Sequence, residues 1–446
     1  MDFVPNTRTQ QEQMLKQIGL SSFDDLFRDV PESIFLKKNL AVGEPLDESA
    51  LKKHVSSLSQ KNATTTTYNY FLGAGCYNHF IPAAVSHLAL RSEFLTAYTP
   101  YQPEISQGML QSIYEWQSMI SELTGMDLCN ASMYDGANAL AESIIIAKNS
   151  SKKTKFLISS AVHPQYKQTA NTYAEANSLL LEEISLDNGV TSFENLKEKL
   201  SDETGAVVVQ YPNFFGCIED LAKTAELVHE KGSILIVCVN EAASLGLLKS
   251  PGELGADIVA GDAQSFGNPM SFGGPHVGFI AVTKKFMRLI PGRLVGKTVD
   301  EKNRTGYILT LQAREQHIRR EKAYSNICSN QALCALAATI HLALLGKSGL
   351  MELANLNLQK AHYVAEKLNE AGVELLFSAP FFNEFVVKTN NAGQIQQKLL
   401  EKKIIAGYSL EKDYPELKDS LLVCVTEQNS KQDIDEFIAA LKEAVQ

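Results

Sequence analysis

The sequence predicts an α/β protein built on a large, mainly parallel sheet with helices on both faces. Several runs are apolar throughout instead of alternating, as strands buried on both faces are. They cover residues 155–159, 206–210, 234–239, 257–260 and 277–282. Helical patterns lie between several of these runs, for example residues 220–232, which end at Lys231 and a glycine. With 446 residues, 45% of them hydrophobic, the chain can bury a large core.

Three regions follow from the pattern along the chain. Residues 1–65 predict a polar helical arm, with Met14 and Ile18 on one helix face and a second helix opened by a serine at 21–27. Residues 66–328 carry the alternating pattern of the large α/β domain. Residues 329–446 predict a smaller α+β domain that begins with a core helix at 332–346.

Composition narrows the classes of function. The net charge is −10 and the isoelectric point is about 5.5, which disfavours nucleic acid and anionic membrane partners. Seven cysteines without a CxxC pair indicate buried, reduced thiols and no metal site. The first residues lack the features of a secretory signal, and the apolar stretch 332–346 is too short to cross a bilayer. We therefore expect a cytoplasmic protein.

Loops after predicted strands are the expected ligand site, because α/β sheets bind ligands beyond the carboxyl ends of their strands. Asp135 and Gly136 form a turn before a helix of small residues, which suits a phosphate or is simply a capped helix. His163 follows a strand, where it could stack on a flat cofactor or be a hydrogen-bonded loop histidine. Asn240 follows another strand, and the loop at 261–279 contains no lysine.

Three further segments are candidates for a pocket mouth or an interface. Gly73 and Gly75 lie in a glycine-containing loop at 71–82 that is a weak dinucleotide fingerprint. Tyr98 and Tyr101 share a proline-rich loop, which suits a pocket wall, a subunit interface or plain surface packing. A basic cluster with Arg319 and Arg320 faces an anion or a partner, or forms a solvated helix pair in which Glu315 contacts Arg319.

Several long strings resemble the glycine decarboxylase, or P-protein, family of the glycine cleavage system. They are FLGAG at 71–75, TAYTPYQPEISQG at 96–108, NASMYDGA at 130–137, GDAQSFG at 261–267, LQAREQHIRREKA at 311–323 and FFNEF at 381–385. The resemblance spans nearly the whole chain. It implies the N-terminal-half subunit, subunit 1, of a P-protein that is split into two chains.

The resemblance implies pyridoxal-phosphate fold type I, like aspartate aminotransferases. It implies an enzyme that decarboxylates glycine on pyridoxal phosphate and passes the aminomethyl group to the lipoylated H-protein. It also implies a second subunit in an α2β2 assembly. No metal is expected.

The same resemblance locates a degenerate cofactor site. Gln264 occupies the position of the lysine that binds the cofactor, and Asn240 that of the aspartate beside the pyridine nitrogen. His163 alone remains of the expected set, and no residue of this chain is expected to be catalytic or to bind cofactor. The covalent bond to pyridoxal phosphate is expected on the partner subunit.

Surface residues of this chain are expected to complete the partner's active-site mouth or to form the interface between subunits. The candidates are Tyr98, Tyr101, Gly73, Gly75, Tyr134, Arg319 and Arg320. One alternative is an autonomous homodimeric pyridoxal-phosphate lyase or aminotransferase, which requires a lysine in this chain. Lys284, Lys285 and Lys322 do not fit that position. Another alternative is a purely structural or regulatory subunit.

Overall fold

A computed structural model of the chain describes residues 5–36, 38, 40–95, 98–327 and 329–445. The chain forms two compact units, Met1–Asn62 and Ala63–Gln446. The described strands are β1 Asn69–Tyr70, β2 Leu128–Cys129, β3 Lys155–Ser159, β4 Leu180–Ile184, β5 Leu186–Asp187, β6 Val190–Thr191, β7 Thr204–Gln210, β8 Ile234–Val239, β9 Ile258–Asp262, β10 Gly278–Val282, β11 Leu294–Val299, β12 Thr305–Thr310, β13 Glu384–Lys388, β14 Ile404–Ile405, β15 Tyr408–Ser409 and β16 Ser420–Cys424.

The described α-helices are α1 Arg8–Gln17, α2 Glu48–Ser59, α3 Ala83–Ala89, α4 Ser92–Leu95, α5 Gln107–Thr124, α6 Gly136–Ser151, α7 Pro164–Ala176, α8 Phe193–Lys199, α9 Leu221–Glu230, α10 Gln316–Arg319, α11 Ala332–Glu370, α12 Ala392–Glu401 and α13 Lys431–Val445. Short 3₁₀ turns connect several of these elements.

The N-terminal unit contains α1 and α2. Helix α1 begins with a capping box, in which Thr7 and Gln10 exchange hydrogen bonds. The helix predicted to open with a serine is instead a 3₁₀ turn, Asp24–Phe27. There the Asp25 carboxylate accepts hydrogen bonds from the Ser21 and Ser22 backbones, which closes a short turn and not a longer helix.

The larger unit is built on a seven-stranded sheet in the order β2-β10-β9-β8-β7-β3-β4. Strands β9, β8, β7, β3 and β4 are parallel, whereas β10 is antiparallel to both of its neighbours. Every residue of β7, β8 and β9 is buried, which confirms that the continuous apolar runs are strands covered on both faces. The predicted mainly parallel sheet is confirmed.

Helices cover both faces of this sheet. One apolar cluster contains Trp116 of α5 and buried side chains of α9 and α11, together with one face of the central strands. The other contains Leu140 and Ile144 of α6 and buried side chains of α7, together with the opposite face. Asp135 caps α6 by accepting a hydrogen bond from the Asn138 backbone N–H, as its position before Gly136 predicts.

A three-stranded antiparallel sheet, β13-β16-β15, lies in the C-terminal part of the chain with α12 and α13. Its core contains Phe385, Leu421 and Phe437, and Phe71 stacks on Phe437 with ring centroids 4.0 Å apart. These helices and strands fall within residues 329–446, but the division of this part of the chain into a separate smaller α+β domain stays a prediction. The exact boundary predicted for it, at residues 328 and 329, stays a prediction.

Helix α11 consists of two helices joined at a break. Gly346 has φ 59° and ψ −176°, which is not helical. By length and composition, α11 taken as a whole is long and apolar enough to cross a membrane. The first half, at 332–345, rises about 21 Å, which is less than the roughly 30 Å of a bilayer core. Its buried residues include Ala335, Leu336 and Ala338, as expected for a core helix.

One feature of the larger unit was not predicted from the sequence. The hairpin of β11 and β12 is not continuously apolar, and one end of it is exposed.

Candidate functional site

The carboxyl ends of the parallel strands bring three of the predicted residues together. His163 follows β3, Asn240 follows β8 and Gln264 follows β9. The loop at 71–82, which we call the glycine loop, lies against these residues. A Cβ on Gly75 would be 2.9 Å from the His163 ring and 3.6 Å from Asn240 Nδ2. The predicted site residues on these three strands and the glycine loop therefore form one cluster.

Gln264 is bound by the glycine loop and by its own turn. Its Oε1 accepts a hydrogen bond from the Tyr77 backbone N–H at 2.9 Å. Its Nε2 donates to the backbone carbonyls of Tyr77, at 3.0 Å, and Asn268, at 2.7 Å. Every polar atom of this buried amide is thus used within the chain.

His163 is a hydrogen-bonded loop histidine. Its Nδ1 accepts from the Gln165 backbone N–H, and its Nε2 lies 2.9 Å from the carbonyl oxygen of Ala74. Burial lowers the pKa of His163, so the ring is neutral at pH 7 and Nε2 donates to Ala74. The backbone of Ala74 and Gly75 lies against this ring.

Asn240 has an unused donor. Its Oδ1 accepts from the Cys238 thiol at 3.4 Å, while its buried Nδ2 has no hydrogen-bond partner. An unpartnered buried amide N–H is costly, by about 1–3 kcal/mol. The side chain is neutral, so it cannot stabilise a protonated ring nitrogen by charge.

Asp262 occupies the position that the sequence suggested for an anion. Its Oδ2 accepts a hydrogen bond from the Gly136 backbone N–H, at the first residue of α6, at 3.0 Å. The same oxygen lies 3.0 Å from His276 Nδ1, and Oδ1 accepts from the Gln264 backbone N–H. The N-terminus of α6 is therefore already neutralised by a carboxylate of the chain itself.

A buried glutamate of the small sheet binds the glycine loop through two hydrogen bonds. Glu384 of β13 accepts hydrogen bonds from the Ala74 backbone N–H at 2.7 Å and from the Tyr77 hydroxyl at 2.8 Å. Burial raises the pKa of Glu384 to about 7, and the nearby Glu241 adds to this effect. Glu384 was not among the site residues predicted from the sequence, although a carboxylate within an apolar strand was a usable signal.

The end of the same loop is held by a second set of buried charges. His79 lies between Glu241 and Glu427, with nitrogen to oxygen distances of 3.1 and 2.8 Å. Burial opposes its charge, but the two carboxylates outweigh burial and raise the pKa of His79 to about 10. Phe80 donates its backbone N–H to Glu427 as well. The loop is therefore fixed along its length.

The aromatic candidates lie in a second group. The Tyr101 hydroxyl accepts a hydrogen bond from Arg293 at 3.3 Å, and its ring packs edge-on against His317. Arg293 also donates to Asn330, which donates to Ser132 in the loop before α6. Arg293, which links the aromatic loop to the loop before α6, was not predicted from the sequence.

The remaining mouth candidates are accessible. Tyr98 is 82% exposed and Tyr134 is 37% exposed. Arg319 and Arg320 are exposed, and the Arg319 guanidinium lies 5.5 Å from the centre of the Tyr324 ring. None of the described contacts joins these four side chains to His163, Asn240 or Gln264.

The solvated pair proposed for Glu315 and Arg319 is wrong. Glu315 is buried, and its described partners are Arg293, at 4.0 Å, and His317, at 3.6 Å. Helix α10 has only four residues, so the spacing of a continuous helix does not apply.

No lysine occurs among the described contacts of Gln264, Asn240 or His163. Lys284 and Lys285 are exposed and follow the last residue of β10. The first residue of β10, Gly278, is the one that pairs with Asp262. The two lysines therefore lie at the other end of the strands, away from the site.

Within the described part of the chain, no group of three His, Cys, Asp or Glu side chains is placed to hold a metal ion.

The sheet order and the site at the carboxyl ends define a pyridoxal-phosphate fold type I protein. A solved glutamate decarboxylase from Lactobacillus brevis superimposes with a TM-score of 0.70 over 94% of this chain and 97% of that chain, at 13% identity. This likeness concerns the fold alone. A crystal structure of glycine decarboxylase (P-protein) of the glycine cleavage system, in inhibitor-bound form, matches over the whole of both chains with a TM-score of 0.91 and 42% identity.

The family model for the glycine cleavage system P-protein matches residues 1–441. A relative from Desulfitobacterium hafniense, named probable glycine dehydrogenase (decarboxylating) subunit 1, is 53% identical over 99% of this chain and 100% of its own length. The chain belongs to the P-protein family, in the form of the N-terminal subunit of a split enzyme.

The residues of this site do not fit a covalently bound pyridoxal phosphate. An amide such as Gln264 cannot form the Schiff base that fold type I enzymes make through a lysine. The Asp262 carboxylate would repel a phosphate at the N-terminus of α6, and Asn240 carries no charge for a ring nitrogen. The backbone at Ala74 and Gly75 lies against the His163 ring.

Proposed function

We propose that this chain is the subunit of a two-chain glycine decarboxylase that does not carry the cofactor. The observation that carries this proposal is the self-contained hydrogen bonding around Gln264 and Asp262. Pyridoxal phosphate, when bound by the assembly, supplies an electron sink for decarboxylation. The lysine that binds it lies on the partner, glycine dehydrogenase subunit 2.

The proposed reaction is the decarboxylation of glycine with transfer of the aminomethyl group to the lipoyl arm of the H-protein. The names of the relatives support a second subunit, because they are called subunit 1. The proposed assembly is an α2β2 heterotetramer in the cytoplasm.

The part of this chain in catalysis is to complete the mouth of the partner's active site. The glycine loop is held rigidly by Glu384, Gln264 and His79, as a wall of a binding site must be. The aromatic group offers Tyr98, which is exposed, and Tyr101, which is held by Arg293. Tyr134, Arg319 and Arg320 are further exposed candidates for the mouth or the interface.

Separating the two chains tests where the cofactor is bound. Each subunit is purified alone and together, loaded with pyridoxal phosphate, and treated with borohydride. We expect a cofactor-modified lysine peptide from subunit 2 only, and carbon dioxide release from carboxyl-labelled glycine only when both chains and the H-protein are present. A modified lysine in this chain would support the alternative of an autonomous enzyme. Full activity of subunit 2 alone would support a purely structural role.

Two substitutions test whether this chain completes the mouth of the partner's active site. Tyr98→Phe removes only a hydroxyl, and Arg320→Ala removes an exposed charge. Arg91→Ala is the control, because Arg91 is also exposed and forms an ion pair only with Glu93 among the described contacts. We expect Tyr98→Phe or Arg320→Ala to lower glycine turnover of the complex by about tenfold, equivalent to about 1.4 kcal/mol. Unchanged turnover in both would remove them from the mouth.

A further inference from the structure

Arg293 is a buried cation that joins three other segments of the chain. It lies directly before β11, and its side chain is 4% exposed. Its Nη1 donates to Asn330 Oδ1 at 3.2 Å, and its Nη2 donates to the Tyr101 hydroxyl at 3.3 Å. Its backbone carbonyl accepts from the Ala131 N–H at 2.9 Å. One residue therefore connects the proline-rich loop, the segment before α11 and the loop before α6.

A carboxylate balances the charge of this buried guanidinium. Glu315 Oε2 lies 4.0 Å from Arg293 Nε, and the Glu315 side chain is as deeply buried as that of Arg293. A buried charge without a counter-charge would be strongly destabilising. A guanidinium is planar and its N–H groups point in fixed directions, so contacts at several of its atoms define one orientation. The Arg293 side chain is therefore a fixed support.

Tyr101 is held at its hydroxyl while much of its ring is open to solvent. The residue is 49% exposed. The guanidinium carbon of Arg293 lies 5.6 Å from the centre of the Tyr101 ring, within the range of a cation–π interaction. An exposed side chain without such contacts changes rotamer on the picosecond to nanosecond timescale. Tyr101 is instead restricted by Arg293 at both its hydroxyl and its ring.

We propose that Arg293 is a positioning residue that fixes Tyr101 as an aromatic wall for the lipoyl arm of the H-protein. The inference rests on the proposed function, in which Tyr101 lies at the mouth of the partner's active site. The lipoyl arm contains a long apolar chain, and an aromatic ring offers a large apolar surface to such a chain. A wall that is fixed before the arm binds loses little conformational freedom on binding, which increases affinity. Arg293 acts on the arm only through Tyr101.

A positioning role predicts an effect on KM and not on kcat. The wall contacts the arm equally before and during the reaction, so a loose wall weakens binding without slowing the bound complex. A merely structural role of Arg293 would reduce the amount of active enzyme, which lowers the apparent kcat at an unchanged KM. The KM for the H-protein therefore separates the two roles.

The experiment measures carbon dioxide release from carboxyl-labelled glycine by the complete two-subunit enzyme over a range of H-protein concentrations. Arg293→Lys keeps the charge but loses the planar fork of donors, and Tyr101→Phe keeps the ring but loses the hydroxyl. We expect each variant to raise the KM for the H-protein by about fivefold, with kcat changed by less than about twofold. The double variant should have no larger effect than a single one, because both substitutions break the same contact.

Gln117→Met is the control for a general loss of stability. Gln117 is buried and exchanges hydrogen bonds with Val295, two residues from Arg293, and its described contacts do not include Tyr101. We expect this variant to leave the KM for the H-protein unchanged, even if thermal unfolding shows a lower stability. The proposal is overturned if Arg293→Lys raises this KM no more than Gln117→Met, or if the effects of Arg293→Lys and Tyr101→Phe multiply in the double variant.

Tyr101→Ala distinguishes a failure of this inference from a failure of the proposed function. If Tyr101→Ala raises the KM while Arg293→Lys behaves as the unmodified enzyme, Arg293 does not position Tyr101, and the place of Tyr101 at the mouth stands. If Tyr101→Ala changes neither KM nor kcat, Tyr101 is not at the mouth and both ideas are overturned. Should Arg293→Lys fail to fold or to assemble with subunit 2, Tyr101→Phe tests the same hydrogen bond from its other end, and an unchanged KM in that variant overturns the proposal.

Discussion

At the end of β9, Asp262 and Gln264 direct all of their side-chain hydrogen-bonding atoms to groups of the same chain. A lysine alone would therefore not rebuild a cofactor site, because the surrounding backbone and the carboxylate would remain in place.

The first residue-scale prediction concerns Gln264→Lys. We expect the variant, loaded with pyridoxal phosphate, to show no aldimine absorbance and no borohydride-fixed cofactor. The physical reason is that Asp262 still neutralises the start of α6 and Ala74 still lies on His163. Gln264→Met is the matched control for folding, and a cofactor fixed on the lysine of the variant would contradict the prediction.

The second residue-scale prediction concerns Glu384→Gln and pH. Burial raises the pKa of Glu384 from its ordinary 4.5 to about 7 in the folded chain. The folded state therefore holds the proton more tightly than the unfolded state. The stability that this acid contributes is present below pH 4.5 and is lost as the pH rises to about 7, by about 3 kcal/mol.

The glutamine variant lacks this titration, so its stability relative to the unmodified chain should improve by about 3 kcal/mol over the same range. The free energies of unfolding of the variant and of the unmodified chain are measured at pH 4.5 and at pH 7, and their difference at each pH is compared. Burial also raises the pKa of Glu142 and Glu219 to about 7. Both residues are present in the two proteins, so their effect cancels in the difference. If the difference in free energy of unfolding were the same at pH 4.5 and pH 7, Glu384 would not titrate between these two values.

At the scale of an element, the glycine loop is held by side chains from both sheets. Glu384 lies on β13 of the smaller sheet, whereas His163 and Gln264 follow strands of the larger one. Gly75 has φ +95°, and a Cβ there would lie 2.9 Å from two atoms of the His163 ring. Only glycine satisfies both the backbone angle and the close approach.

We expect Gly75→Ala to lower the free energy of unfolding by about 1–3 kcal/mol more than Gly232→Ala. Gly232 is the matched control, since it also has a positive φ, +62°, but no atom lies within 4 Å of its Cβ position. Urea unfolding of the two variants measures the difference. Equal losses would mean that the contact with His163 has no energetic consequence.

At the scale of the whole molecule, the N-terminal unit exposes many apolar side chains. Ile34 is 72% exposed and Val42 is 82% exposed, whereas Leu15 is buried. Exposed apolar side chains are the kind of surface that another protein can cover. A two-subunit enzyme provides a partner that could cover this surface.

We expect Ile34→Asp or Val42→Asp to weaken association with subunit 2 by about tenfold or more, since burial of such a side chain is worth about 1.5–3 kcal/mol. Leu400→Asp on α12 is the control, because Leu400 is also exposed but lies in the C-terminal region. Titration calorimetry of the two chains gives the affinities. Equal affinity of all three variants would exclude the arm from the interface.

Much of the fold and part of the site could be predicted from the sequence. The buried strands β7 and β8 were visible as apolar runs, because burial on both faces leaves no polar alternation. The strand-end positions of His163, Asn240 and Gln264 followed from the same runs. The amide at Gln264, and with it the absence of an amine, is a property of the sequence alone.

Only the tertiary structure decided which groups surround that amide. Tyr77 is 187 residues from Gln264 and Glu384 is 310 residues from Ala74, and no local pattern links positions so far apart. Asp262 reaches the start of α6 because Gly278 of β10 pairs with Asp262 on one side and with Met133, just before α6, on the other. Local residue preferences determine helices and strands, whereas the contacts of buried polar groups depend on how those elements pack.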